Sequence, residues 1–226
     1  MKYQWVLFDA DETLFHFDNL SGLKHMFAQY GIGFNEQDFE QYQNLNKPLW
    51  IEYQNHQINA EELQTRRFEY WSKKLNISTK QLNADFLDSM LNISTPLPGA
   101  RELIAFLHQN NVNMGIITNG FARLQQLRLA RTELDTYFPL LVISELVGVA
   151  KPHNTIFQYA YEEMGSPDKN KTLMVGDTLA SDILGGNNFG FDTCWLNHND
   201  VTCSEEITPT IEVRTLKQLL EHLMKG

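Results

Sequence analysis

Four short, unbroken apolar runs constrain this chain most: Trp5–Phe8, Val112–Ile117, Leu140–Ile143 and Leu173–Val175. Continuous rather than alternating hydrophobicity is expected of parallel strands covered by helices on both sheet faces. A weaker run, Thr193–Leu196, extends the series. Helical patterns lie between them. Ala100–Gln109 carries Leu103, Ile104, Phe106 and Leu107, and Ala122–Arg131 carries Leu124, Leu127 and Leu129. Thr155–Met164, Ala180–Asn188 and Leu216–Met224 follow. Alternating strands and helices predict an α/β fold, a Rossmann-like doubly wound parallel sheet.

One interval breaks the alternation. About a hundred residues separate the first run from the second, far beyond an ordinary connection. From Asp18 to Asn92 the patterns are helical only: Leu20–Tyr30, Glu36–Gln54 with an interruption or kink near Pro48, Ala60–Leu75, and Lys80–Leu91. The punctuated stretch Ser94-Thr95-Pro96-Leu97-Pro98-Gly99 marks the return. A core of residues 1–16 and 95–226, with an inserted helical cap domain at 17–94, follows as the expectation.

Composition narrows the functional classes. The chain has 226 residues, 42% hydrophobic and 20% charged, which is ordinary for a globular protein. Its formal net charge of −10 disfavours non-specific binding to a nucleic-acid polymer. No run of eighteen apolar residues occurs, and acids at once break the apolar N-terminal segment. A soluble, cytoplasmic protein without membrane contact is expected. The two cysteines, Cys194 and Cys203, fit no disulfide framework or metal pattern.

Open α/β sheets bind ligands beyond the carboxyl ends of their strands. The first run is followed by Asp9, Asp11 and Thr13, and the second by Thr118, Asn119 and Gly120. Lys151-Pro152 comes after the third, and Gly176, Asp177, Thr178, Ser181 and Asp182 after the fourth. Carboxylates converging at one rim repel one another unless a hard cation lies between them. Mg²⁺ suits such oxygen ligands, with Asp9 and Asp177 as the natural pair and Mn²⁺ as a substitute. A carboxylate nucleophile would form an aspartyl-phosphate. Asp11 is placed to protonate the leaving oxygen and then to activate water. Thr118, a backbone N–H near Asn119, and Lys151 would hold the phosphoryl oxygens.

These segments, Asp9-Ala10-Asp11-Glu12-Thr13, Thr118-Asn119-Gly120, Lys151-Pro152 and Gly176-Asp177 through Asp182, resemble the four motifs of the haloacid dehalogenase-like hydrolase superfamily. The resemblance spans essentially the whole chain, with the insert in the cap position. It implies Asp9 as nucleophile and Asp11 as acid/base whose backbone carbonyl also binds Mg²⁺. Thr118 and Lys151 would hold the phosphoryl group, and Asp177 and Asp182 would anchor the metal, Asp182 through a water. Many members have glycine where this chain has Glu12. The stretches DADETLF (9–15), YQNLNKPLWIEYQN (42–55), GIITNGF (115–121) and SELVGVAKP (144–152) resemble the bacterial pyrimidine 5′-nucleotidase subgroup. That subgroup hydrolyses deoxyuridine, uridine and thymidine monophosphates and is thought to clear non-canonical pyrimidine nucleotides.

The resemblance therefore implies a Mg²⁺-dependent phosphomonoesterase with a small nucleotide as substrate; a monomer suffices for it, and the sequence sets no oligomeric state. A sugar-phosphate or broad small-metabolite phosphatase competes within the same chemistry. A dehalogenase lacks the second motif aspartate, which is present here, and a phosphomutase needs an intermediate shielded from water. A phosphorelay receiver also uses aspartate, threonine and lysine, but its phosphorylated aspartate follows the third strand, where this chain has only Glu145. A catalytically dead binding module would have lost Asp9, Asp11 or Lys151. In the cap, Tyr42, Asn46, Lys47, Trp50 and Tyr53 recur at helical spacing, either as bundle core or in part as nucleobase contacts. Phe15-His16-Phe17 reads as a loop closing over the site, or as two core rings around an exposed histidine. Gly120 reads as a turn residue.

Overall fold

The computed structural model describes residues 1–202 and 206–225. Cys203 lies outside the described residues. A six-stranded, wholly parallel sheet runs in the order β3-β2-β1-β4-β5-β6. The strands are β1 (Trp5–Phe8), β2 (Asn113–Thr118), β3 (Leu140–Ile143), β4 (Thr172–Gly176), β5 (Asp192–Leu196) and β6 (Ile211–Val213). The first five match the apolar runs. The sixth is a three-residue edge strand whose alternating burial leaves too short an apolar signal to recognise. Strand order reverses between β1 and β4, the switch point where such sheets bind ligands.

Helices α1 (Asn19–Ala28), α2 (Glu36–Gln54), α3 (Ala60–Arg66), α4 (Glu69–Leu75) and α5 (Thr79–Ile93) form the insert between β1 and β2. The rest are α6 (Ala100–Gln109), α7 (Ala122–Arg131), α8 (Ser144–Val147), α9 (Asn154–Glu163), α10 (Leu184–Phe189) and α11 (Leu216–Leu223). The insert buries its own aromatic cluster, with Phe27, Tyr42, Phe68, Trp71 and Phe86 at its centre. Phe121, Leu124 and Ala150 join that cluster from the sheet side. A separate core around Val6, Phe8, Leu103, Leu173 and Leu219 supports one sheet face. Leu7, Ile117, Phe157 and Met174 belong to a further cluster. None of the helices among the described residues is long and apolar enough to cross a membrane.

Local chemistry sets the insert's boundaries, and two expectations change. Helix α2 runs unbroken through Pro48. The proline leaves the Asn44 carbonyl without a helical donor, but both residues are exposed, so water can serve it. The helix expected over Ala60–Leu75 is two helices. Arg67 and Phe68 are consecutive and both buried, which one straight helix would not allow on a single face, and Phe68 leaves helical geometry (φ −110°, ψ 4°). Capping boxes at Asn35/Asp38 and Asn59/Glu62 start α2 and α3.

The chain enters and leaves the insert through adjacent segments. Phe15 bridges to Pro96, His16 N–H donates to the Thr95 carbonyl (2.9 Å), and Leu97 N–H donates to the Leu14 carbonyl (2.8 Å). The 15–17 segment is therefore a stitched turn rather than a free lid. Phe15 is fully buried, Phe17 is half-buried, and exposed His16 pairs with Glu12 at 3.1 Å. Glu12 itself sits at φ 54°, a backbone conformation that favours glycine. Its carboxylate offsets the strain locally by accepting the Phe17 N–H.

Candidate active site

Register brings the polar residues together. Phe8 lies level with Ile116 and Val175, and Asp9 N–H continues the β1–β4 ladder to the Val175 carbonyl at 2.8 Å. The ends of β1, β2 and β4 are thus aligned. A cleft of ≈ 200 Å³ opens there, lined by Asp9, Asp11, Thr118, Lys151, Asp177 and Asp182, with Trp50 reaching in from α2. All seven residues anticipated for the site, Asn119 included, line this one cleft.

Lys151 is the hub. Its ammonium is buried and donates to Asp9 Oδ1 (2.6 Å) and the Ile117 carbonyl (2.6 Å), and it pairs with Asp182 Oδ1 at 2.7 Å. Burial opposes its charge, but Asp182 and Asp9 outweigh that and raise its pKa above the ordinary lysine value. The carboxylates move the other way. Burial pushes Asp9 up to about 7, against the pull of Lys151 and with help from the charges of Asp182 and Asp11. Burial, then Asp182 and Asp9, push Asp177 up to about 8.

Asp9, Asp177 and Asp182 each offer an oxygen within 4.8 Å of the others. An all-oxygen donor set, in which Asp9 and Asp177 resist ionising, fits a hard divalent cation. The sign of the pH effect follows. A carboxyl whose folded pKa is raised binds a proton that the unfolded chain has already released, so stability falls as pH rises through that interval. The metal-free protein should melt at least about 5 °C lower at pH 8.5 than at pH 5.5. Added Mg²⁺ should recover more of that loss at pH 8.5 than it adds at pH 5.5. Calorimetric melts with EDTA or Mg²⁺ check this, and a pH-independent melting temperature would contradict it.

The remaining groups are positioned through neighbours that sequence patterns did not single out. Asp11 lies apart from the carboxylate cluster. Its Oδ1 accepts from Arg128 Nη1 at 2.6 Å, and its Oδ2 from Gln125 Nε2 at 3.4 Å. Arg128 is fully buried, with its guanidinium 4.4 Å from the Phe15 ring centroid. The buried face of α7 is Leu124, Gln125, Arg128 and Leu129, while Leu127, expected on that face, is 41% exposed. A polar pair one turn apart on the inward face was the available signal. Asn119 also has a role that its sequence position does not show. Its side chain accepts from Lys151 N–H (2.8 Å) and donates to the Lys151 carbonyl (3.0 Å), so it clamps the lysine backbone at the edge of the cleft.

Thr118 Oγ1 accepts from Gly120 N–H at 3.0 Å, which leaves its own proton free to be donated. Gly120 lies in the bend after β2, where space is also tight. A Cβ there would come within 2.1 Å of Gln125 Nε2. Gly176 is similar, since a Cβ would meet Asp182 Oδ2 at 2.3 Å. Asp182 is held by Thr178 N–H (3.1 Å) and Ser181 Oγ (3.2 Å). Trp195 Nε1 donates to the Asp177 carbonyl at 2.8 Å and fixes that turn from β5. Cys194 is buried, which raises its thiol pKa and leaves it inert.

The haloacid dehalogenase-like hydrolase family model matches residues 3–190. The chain belongs to the haloacid dehalogenase-like hydrolases. Within this family it is 52% identical, over the full length of both chains, to the pyrimidine 5′-nucleotidase YjjG of Escherichia coli. It is 31% identical to the pyrimidine 5′-nucleotidase PynA of Streptococcus pneumoniae, covering 100% of this chain and 97% of the relative. The structure of the putative hydrolase YfnB of Bacillus subtilis bound to magnesium is similar, with a TM-score of 0.83, 29% identity and 98% coverage of both chains. A dehalogenase structure with a TM-score of 0.77 and 22% identity shares the fold. Family membership and the helical insert both remove the phosphorelay-receiver reading.

Proposed function

We propose that this hydrolase is a divalent-metal-dependent 5′-nucleotidase that cleaves pyrimidine nucleoside monophosphates through an aspartyl-phosphate at Asp9. The observation that carries the proposal is the convergence of Asp9, Lys151, Asp182 and Asp177 at one strand-end cleft. The substrate class is supported by full-length similarity to two pyrimidine 5′-nucleotidases. Residues 17–94 act in this reading as the cap over a core of 1–16 and 95–226. Two features support that division, the insert's own aromatic cluster and the paired crossings at Phe15 and Pro96.

Asp9, Asp177 and Asp182 would hold Mg²⁺, with the Asp11 carbonyl as a further ligand. When bound, the ion supplies positive charge beside the phosphoryl oxygens. Similarity to a magnesium-bound relative supports that choice of ion.

In the first step an Asp9 carboxylate oxygen attacks phosphorus in line. The bond from phosphorus to the 5′-oxygen breaks, its electron pair goes to that oxygen, and Asp11 delivers the proton. Lys151 and the Thr118 hydroxyl stabilise the equatorial oxygens. In the second step the Asp11 carboxylate takes a proton from water, whose oxygen attacks phosphorus. The bond to Asp9 breaks, inorganic phosphate leaves, and both carboxyl groups return to their starting states. Arg128 and Gln125 hold Asp11 in place between the steps.

Phosphate release from a panel of monophosphates in Mg²⁺ tests the substrate class. Uridine, deoxyuridine and thymidine monophosphates should exceed purine monophosphates and sugar phosphates in kcat/KM by at least about tenfold. Preference for sugar phosphates would keep the chemistry and replace the substrate.

A further inference from the structure

Beside the phosphate cleft lies a second cavity of ≈ 90 Å³. Asp11, Trp50 and Gly120 line both, so the two compartments are contiguous. Phe17, Phe86 and Phe121 give the second one ring surface, and Asn19, Asn46 and Arg67 give it polar groups.

Arg67 is the unusual member. It lies between α3 and α4 and is only 3% exposed. Its guanidinium carbon sits 5.0 Å from the ring centroids of both Phe86 and Phe121, and 5.3 Å from that of Phe68. Among the described residues, no carboxylate forms an ion pair with it. Burial accordingly lowers its pKa. Its Nε and Nη2 donate to a neutral acceptor, Asn83 Oδ1, while the Tyr42 hydroxyl and the Glu145 charge offset part of the burial. A desolvated cation whose nearest partners are neutral, with the Glu145 carboxylate beyond ion-pair distance, gains from an acceptor brought in by a ligand.

A chain of hydrogen bonds sets its orientation. Asn83 Nδ2 donates to Gln64 Oε1 (2.8 Å), and Gln64 Nε2 donates to Glu145 Oε1 (2.8 Å). Glu145 Oε2 accepts the N–H of Ala122, the first residue of α7 (2.7 Å). Each amide has its donor and acceptor ends assigned by its neighbours, so the guanidinium plane is fixed from the sheet side of the molecule.

We propose that Arg67 is a specificity-determining residue that donates a hydrogen bond to a ring carbonyl of the pyrimidine, with the base held in this second cavity. The inference rests on the nucleotidase reading above. Ring walls suit a flat heterocycle, and a preorganised cationic donor suits the carbonyl oxygens of uracil and thymine. A site built to hydrogen-bond a polar substrate group discriminates strongly against analogues that lack it.

The test compares kcat/KM for uridine monophosphate and for p-nitrophenyl phosphate, which has no ring carbonyl. Arg67→Met should lose about 10- to 100-fold on the nucleotide and less than about threefold on p-nitrophenyl phosphate, whose turnover also reports folding. Arg67→Lys should recover part of the nucleotide loss. A second arm needs no variant in its reference. Nucleotide analogues lacking a ring carbonyl should lose a similar factor with the unmodified enzyme and nothing further with Arg67→Met. Equal losses on both substrates, or losses on the analogues that simply add, would overturn the role of Arg67. A loss confined to sugar bisphosphates would assign the cavity to a second phosphate and would also overturn it. Failure of the unmodified enzyme to hydrolyse pyrimidine monophosphates would instead remove the nucleotidase reading on which the proposal stands.

Discussion

Asp9→Asn should lower kcat by at least about ten-thousand-fold while leaving the fold intact. The amide keeps the volume of the carboxylate but is a poor nucleophile. Stability should not fall with activity. Burial holds the Asp9 carboxyl at about 7, so at pH 8 its ionised form burdens the metal-free fold. Lys151 retains Asp182 as a counter-ion after the substitution. The melting temperature in EDTA at pH 8 should therefore be unchanged or higher. Substantial residual turnover in a well-folded variant would mean that water attacks the substrate directly.

Lys151→Met should damage both properties. The ammonium lies between Asp9 and Asp182, with 1% of its side chain exposed. Removing one partner of a buried charge cluster costs about 3–5 kcal/mol, because the remaining charges are left uncompensated. Added Mg²⁺ should return part of that stability by giving the carboxylates a cation again. Activity should remain about 10²- to 10⁴-fold down, since the phosphoryl oxygens would lack their donor. Denaturant melts with and without Mg²⁺, run beside kcat, separate the two effects. Full recovery of turnover by Mg²⁺ would reduce Lys151 to a structural counter-ion.

The contrast between these residues and Arg67 shows what a linear reading reaches. Asp9, Thr118, Lys151 and Asp177 each follow an apolar run, and parallel register carries every such run to the same rim. Position in the chain was enough to place them together. Arg128, Gln125 and Arg67 carry no comparable mark. Arg128 and Gln125 face inward on α7 and Arg67 at the junction of α3 and α4, and helical period tolerates a polar residue on either face until packing decides. The split at Arg67-Phe68 was hidden for the same reason, because α3 and α4 follow one continuous helical pattern. Asn119 lines the cleft as its position in the chain implies, and its side chain has a further role. Adjacency to Thr118 indicated the cleft, but only three-dimensional contact reveals its clamp on the Lys151 backbone. Strand β6 was missed because three edge residues hold too little hydrophobic pattern.

Covalent phosphoryl transfer to Asp9 is the central claim, and trapping the intermediate tests it most directly. The enzyme would be mixed with uridine monophosphate labelled in its phosphate, quenched in acid during the first turnover, digested, and analysed by mass spectrometry. The mechanism predicts one phosphoryl group on the peptide containing Asp9, labile to base and absent from Asp9→Asn. Phosphate release with no labelled peptide at any quench time, or with the label on another residue, would contradict it.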